Sequence, residues 1–235
     1  MWGSAVDGRV LTFHLAGINN QNFVMQDAET GTWWQQVTGE AILGPLKGRH
    51  LRLLAFDHVT FAAWRREAPG GRVLAPDPVV LREGRYAPVD WETAMGRMPT
   101  LAHASRDRRL EPRAIVVGVA IGQAARAYPV ERLTASQAVV DQVGATPVLL
   151  VRGADGRSTR VFERTVEGRV LEFVVKAGAS DLRLVDLETG SEWDFRGEAV
   201  AGPLEGRRLV RVPFLEEYWF DWQTFHPATD VFAGR

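Results

Sequence analysis

The sequence predicts a mostly β fold of the α+β class, made of duplicated antiparallel strand meanders that are each followed by one helix. Three observations predict it. The first is a passage that occurs twice: Val6-Asp7-Gly8-Arg9-Val10-Leu11-Thr12-Phe13 returns as Val166-Glu167-Gly168-Arg169-Val170-Leu171-Glu172-Phe173, and Gly39-Glu40-Ala41-Ile42-Leu43-Gly44-Pro45-Leu46 returns as Gly197-Glu198-Ala199-Val200-Ala201-Gly202-Pro203-Leu204. The second is that short runs rich in β-formers fill the space between these anchors, divided by turn residues. The third is one helix-like apolar pattern near the end of each copy, stopped by Pro69 and by Pro227.

The anchors keep their order, and Asp27, Trp34 and Trp64 find counterparts in Asp186, Trp193 and Trp222. The copies lie about 160 residues apart, far beyond the roughly 20–50-residue period of solenoids and propellers. One-residue slips near Asn19 and before Gly39 fall where a turn or bulge absorbs them. Two related units are therefore expected: a partial first unit over 1–80, a linker over 81–112, and a complete second unit over 113–235.

In chain order, residues 9–15 and 22–26 read as strands divided from later ones by the turn Glu29-Thr30-Gly31. A strand over 49–54 follows the Gly44-Pro45 loop, and a helix is expected over 59–67 with Asp57 as its cap. The linker carries one short helix around 91–95. Strands are then expected over 114–120, 123–128, 136–141, 147–151 and 158–163, before the second copy repeats the meander (169–175, 182–185), the late strand (207–212) and the helix (216–225). Trp64 and Trp222 fall on the apolar side of their helices, so each is expected to be buried against its own sheet. Trp219, three residues before Trp222, belongs to the same stripe.

The first unit lacks the strands that precede the meander in the second, and so is expected to expose a sheet edge that another part of the chain, or another chain, must cover. At 235 residues, 46% hydrophobic and 24% charged, there is material for real cores. A net charge of −1 supplies no electrostatic case for nucleic acid or an anionic membrane. The absence of cysteine excludes disulfides, thiolate metal sites and cysteine nucleophiles within the chain. No apolar run reaches the roughly 18 residues of a membrane span, and the first residues form no export signal.

The motif Gly39-Glu40-Ala41 with Gly44-Pro45-Leu46, the preceding Thr32-Trp33-Trp34-Gln35-Gln36-Val37-Thr38, and Val117-Gly118-Val119 running into Ala124-Ala125-Arg126-Ala127-Tyr128-Pro129 together resemble the bacterial family called domain of unknown function 3179. The resemblance covers nearly the whole chain and implies no assigned activity. It does imply a cysteine-containing segment just before the strand that starts at Arg9, and an export signal on full-length members, hence an extracytoplasmic setting. In the second unit the corresponding stretch, 150–156, has no thiol. In the first it would precede Met1, so an N-terminally truncated member is expected.

Comparison of the copies yields the candidate site. Asn20, Gln36 and Thr38 occur only in the first unit, with 179–180 and 195–196 standing opposite them, while Asp27, Trp34 and Glu40 recur as Asp186, Trp193 and Glu198. The recurring set reads as structural, with Glu40 capping a turn or pairing with Arg9 and the tryptophans packing a core. Alternation along a strand places Trp34, Gln36 and Thr38 on one face. Two readings of Asn20, Gln36 and Thr38 stay open: side chains satisfying the backbone of a bend, or, with Glu40, the polar wall of a ligand pocket.

His14, His50, His58, His103 and His226 have no paired metal-ligand spacing. No phosphate loop and no Gly-x-Ser-x-Gly elbow occur. Asp27 with Glu40 would make a glycosidase-like pair only at a separation that sequence does not fix. Neither catalytic residues, nor a metal, nor a cofactor are expected. Two functions remain: a non-catalytic binding or scaffolding module for a small molecule or a protein, or a fragment of an extracytoplasmic redox or metal protein whose reactive segment precedes Met1.

Overall fold

A computed structural model of the chain describes residues 1–19, 22–84, 86, 88–97, 107–178 and 181–234. Ala5–Val6 (β1) and Arg9–Val10 (β2) pair around Asp7-Gly8. Both turn residues have positive φ, 48° and 78°, as a type I′ turn requires for its twist to match that of the strands. Phe13–Asn19 (β3), Asn22–Asp27 (β4), Trp33–Gln35 (β5) and Ala41–Leu43 (β6) follow as a four-stranded antiparallel meander.

The helix Phe61–Glu67 (α1) is capped by Thr60, whose Oγ1 accepts from Ala63 N at 3.2 Å. Asp57 is not the cap. Its carboxylate instead faces the guanidinium groups of Arg160 and Arg211, a charged demand that a local sequence pattern does not show. Next come Pro78–Arg82 (α2), an unanticipated helix capped by Asp77, and Trp91–Arg97 (α3) where the linker helix was expected.

Ile115–Ile121 (β7), Ala124–Pro129 (β8), Val139–Val143 (β9), Thr146–Arg152 (β10) and Thr159–Glu163 (β11) fill the region before the second meander. The hairpin Thr165–Val166 (β12) with Arg169–Val170 (β13) turns at Glu167-Gly168, again with both φ positive, 51° and 78°. The second meander is Phe173–Val175 (β14), Arg183–Asp186 (β15), Glu192–Asp194 (β16) and Ala199–Ala201 (β17). Its pairing Leu184↔Trp193 and Trp193↔Ala199 corresponds to Met25↔Trp34 and Trp34↔Ala41 in the first, and both meanders carry a register shift beside the tryptophan. Val210–Arg211 (β18), Leu215–Tyr218 (β19), Trp219–Phe225 (α4) and Asp230–Val231 (β20) complete the chain.

Two expectations near the ends of the units are corrected. Residues 49–54 make only isolated bridges at His50 and Leu53, and of 207–212 only β18 is a strand, because these segments bond chiefly to the meander turns. The last helix begins at Trp219 rather than Glu216, since 215–218 is drawn into extended pairing with the edge of β7. Tertiary pairing overrides the local helix pattern there. Among the described residues no helix is long and apolar enough to cross a membrane.

The second unit stacks in layers. The sheet β18-β11-β10-β9 packs one face on the sheet β19-β7-β8-β20 through Val148, Leu150, Val117, Tyr128 and Phe214. Its other face meets the second meander through Leu149, Val151, Phe162, Leu184 and Trp193. The far face of β7 and β8 is covered by α4 through Val116, Ala127, Trp219 and Trp222. Both central sheets are thus buried on two sides, which explains their continuous apolar runs. Trp222 lies so close to the strand that a Cβ at Gly118 would stand 2.3 Å from its ring, so only glycine fits there.

Among the described residues no such sheet lies beneath the first meander. Trp2 takes that place, with its ring under Gly39 and its Nε1 donating to Gln36 O at 2.6 Å. In the second unit the ring under Gly197 is Phe162, from β11. The turn of the first meander then inserts Val37 among Trp219 and Trp222 of α4. Helix α1 is left without a sheet of its own unit, and the expected burial of Trp64 fails: it is half-buried and stacks on the exposed Phe61. Trp222, at 1% exposure, is buried as expected.

Candidate functional site

The segment leading into α1 crosses the second unit at the end of the β10–β11 hairpin. His58 bridges Thr159, with Thr159 N donating to His58 O at 2.8 Å, and Thr60 N donates to Ser158 Oγ at 3.0 Å. Between this crossing, the hairpin and β19 lies a cleft of about 610 Å³, within the size range of small-molecule sites. Val59, Phe61, Ile115 and Tyr218 give it apolar walls, and His58, Arg152, Arg157, Glu216 and Glu217 contribute polar groups. His58 Nδ1 and Glu216 Oε2 are hydrogen-bonded at 2.5 Å.

The hairpin end is held by Asp155. Burial alone would raise its carboxyl, but hydrogen bonds from Ser158 Oγ and N, Thr60 Oγ1 and Arg157 N outweigh burial and hold it well below the usual carboxylate range. It is a fixed anion that organises the turn, not a proton donor.

Arg152 stands beside it, 7% exposed, with Nη1 donating to Thr159 Oγ1 at 2.6 Å and Nη2 to Gly156 O at 2.5 Å. Its Nε is buried without a hydrogen-bond partner, and among the described residues no carboxylate pairs with it. The other buried arginines differ: Arg160 pairs with Asp57 and Glu67, and Arg164 with Glu172.

Glu217 connects the cleft wall to a buried polar junction between the units. Asn22 Nδ2 donates to Asp221 Oδ2 at 2.9 Å, and Gln35 Nε2 donates to Asn22 Oδ1 at 2.9 Å. Burial pushes the Asp221 carboxyl up to about 6 against the opposing bond from Asn22. Burial, and then the charge of Asp221, push Glu217 up to about 7. A second cleft of about 340 Å³ lies on the other side of the hairpin turn, lined by Arg66, Glu67, Asp181, Asp194 and Arg196 together with Gly153, Ala154 and Asp155. The turn therefore separates two concave surfaces.

The residues singled out from sequence lie elsewhere. Asn20 falls outside the described residues. Gln36, Thr38 and Glu40 sit on or beside the β5–β6 turn. Alternation does not put Trp34, Gln36 and Thr38 on one face, because β5 ends at Gln35 and the chain then turns. Thr38 Oγ1 accepts from Glu40 N at 3.2 Å, Gln36 N donates to Phe23 O, and Glu40 bridges His50 in a backbone pairing. Glu40 makes no ion pair with Arg9 among the described residues; its counterpart Glu198 pairs with Arg196 and Arg208.

Asp27 is buried and accepts from Trp34 Nε1 at 2.8 Å and from Thr30, as Asp186 does from Trp193 Nε1 at 2.8 Å and from Thr189. Burial opposes but does not overcome the donors, which keep the Asp27 carboxyl low. Asp27 is spent on holding its tryptophan, not placed opposite Glu40 in a cleft. His226 ends α4, packs on Trp222 at 4.0 Å and has its pKa lowered by burial.

Arg152, Glu217, Asn22, Gln35 and Asp221 escaped the sequence reading. Two of them left a signal: Arg152 lies in the 150–156 stretch that the family resemblance marked, and Gln35 in the 32–38 segment that carried it.

These features define a β-rich protein of stacked sheets with an open cleft where the first unit crosses the second. A family model described as Protein of unknown function (DUF3179) matches residues 1–229, and the chain belongs to that family. No curated protein and no solved structure matches the chain.

Proposed function

We propose that the chain is a non-catalytic binding module whose ligand site is the cleft between the α1 approach and β19. The observation that carries this reading is the convergence, in one concavity of about 610 Å³, of exposed apolar walls and polar groups from both units. Asp27, Asp186 and the turn residue Asp155 are committed to structural hydrogen bonds, while Glu217 on the cleft wall is raised to about 7 by burial. Titration of labelled protein with small amphipathic fragments is expected to shift the amide signals of Thr60, Arg152 and Tyr218, and Phe61→Glu to abolish the shifts. Shifts confined to Gln36, Thr38 and Glu40 would move the site to the β5–β6 turn and overturn this assignment.

A second reading is favoured by one observation. Residues 150–156, where the family resemblance implies a cysteine-containing segment, run along both clefts. In an extracytoplasmic, cysteine-bearing relative the reactive thiols would then stand at the same concave surface, and this chain would retain the ligand cleft of a redox or metal protein without its chemistry.

A further inference from the structure

Resting on that reading of the cleft, we infer that Arg152 and Arg157 form an oxyanion subsite at one end of it, and that the ligand is a small monocarboxylate with an apolar body. A guanidinium with 7% exposure and no carboxylate partner is an unusual placement, because a buried charge without its counter-ion is costly. Among the described residues two of its N–H groups are committed, both to neutral oxygens, at Thr159 Oγ1 and Gly156 O. Those two bonds fix the plane of the fork, and Nε is left without an acceptor. A buried guanidinium that lines a cleft and has no carboxylate among the described residues favours an anion there.

The obvious internal counter-ions are occupied. Asp155 is held by Ser158, Thr60 and the backbone of Arg157, and Glu216 is bound to His58. Arg157, exposed on the same turn and also lining the cleft, adds a second cation without an ion pair among the described residues. The other walls are apolar and open: Phe61 is 60% exposed and Ile115 44%. Such a surface accepts a ring or short chain attached to the anion. Glu216 on the facing strand opposes a dianion, so a carboxylate is favoured over a phosphate monoester.

The test uses the full chain with benzoate, benzamide and phenyl phosphate, followed by calorimetry and by the Arg152 Nε–H signal. Benzoate is expected to bind in the millimolar range, around ~1 mM, and to shift that signal. Arg152→Gln should weaken benzoate at least about ten-fold, and Arg157→Ala should weaken it less. Arg152→Lys, which keeps the charge and loses the fork, should fall between wild type and Arg152→Gln. If Arg152→Gln fails to fold, Arg157→Ala and the neutral benzamide still decide.

Benzamide binding as tightly as benzoate, with loss on Phe61→Glu, would leave the cleft as a binding site and overturn the anion subsite. Phenyl phosphate binding more tightly than benzoate would overturn the carboxylate assignment. If neither benzoate nor benzamide moved any cleft signal, the binding reading and the subsite would fall together.

Discussion

Glu217 and Asp221 show how position decides the chemistry of a side chain. Both are acids in a part of the chain whose charge pattern is ordinary, yet burial lifts them to about 7 and about 6 from ordinary values of 4.5 and 3.8. The folded protein therefore holds these protons to higher pH than the unfolded chain does. Their stabilising contribution is complete below the unfolded values, and it is lost as pH rises through about 6 to 7. Thermal midpoints are expected to fall between about pH 5 and about pH 8, and Glu217→Gln, which removes one titrating group, to reduce that fall. An equal fall in the variant, measured by calorimetry, would show that the junction does not titrate as assigned.

Between elements, the same backbone problem is solved by different rings. The β5–β6 and β16–β17 turns bring Gly39 and Gly197 to φ of 68° and 77°, each with an aromatic ring where a Cβ would stand. From β11 the second unit supplies Phe162; the first supplies Trp2 from outside any sheet of that kind. Gly8 also has positive φ, 78°, but open space around it. Gly8→Ala should cost only the conformational strain, about 1 kcal/mol, and Gly39→Ala about 2 kcal/mol more because its Cβ meets Trp2. Adding Trp2→Ala to both should remove most of that difference in urea unfolding. Equal costs for the two glycines would contradict the contact.

At the scale of the whole molecule the first meander and the approach to α1 are tied to the later sheets and to α4. Val37 sits in the α4 core, Asn22 binds Asp221, and Arg160 of β11, 2% exposed, holds both Asp57, ahead of α1, and Glu67, its last residue. Arg160 also lies over Phe195 at 4.5 Å. Arg160→Met would keep much of the volume, leave Glu67 without this cation and leave Asp57 with Arg211 alone. The expected result is a loss of about 3 kcal/mol and faster amide exchange in α1, while β14–β17 keeps its protection. Unchanged exchange in α1 would mean that apolar contact alone docks it.

The sequence by itself determined what depends on neighbours along the chain. The β-rich class, the turns at Glu29-Thr30-Gly31 and Glu188-Thr189-Gly190, and membership of the DUF3179 family were all legible, because turns and alternating strands write their requirements within a few residues. The tertiary structure alone decided what depends on distant partners. Residues 215–218 became a strand because β7 offered an edge, and Trp64 stayed half-exposed because its helix docks on the other unit. Gln35, not Gln36, turned inward where β5 meets Asn22. Arg152 acquired its meaning only when the hairpin end and the α1 approach crossed, since the burial of a charge and the absence of its counter-ion are properties of a surrounding that no single segment encodes.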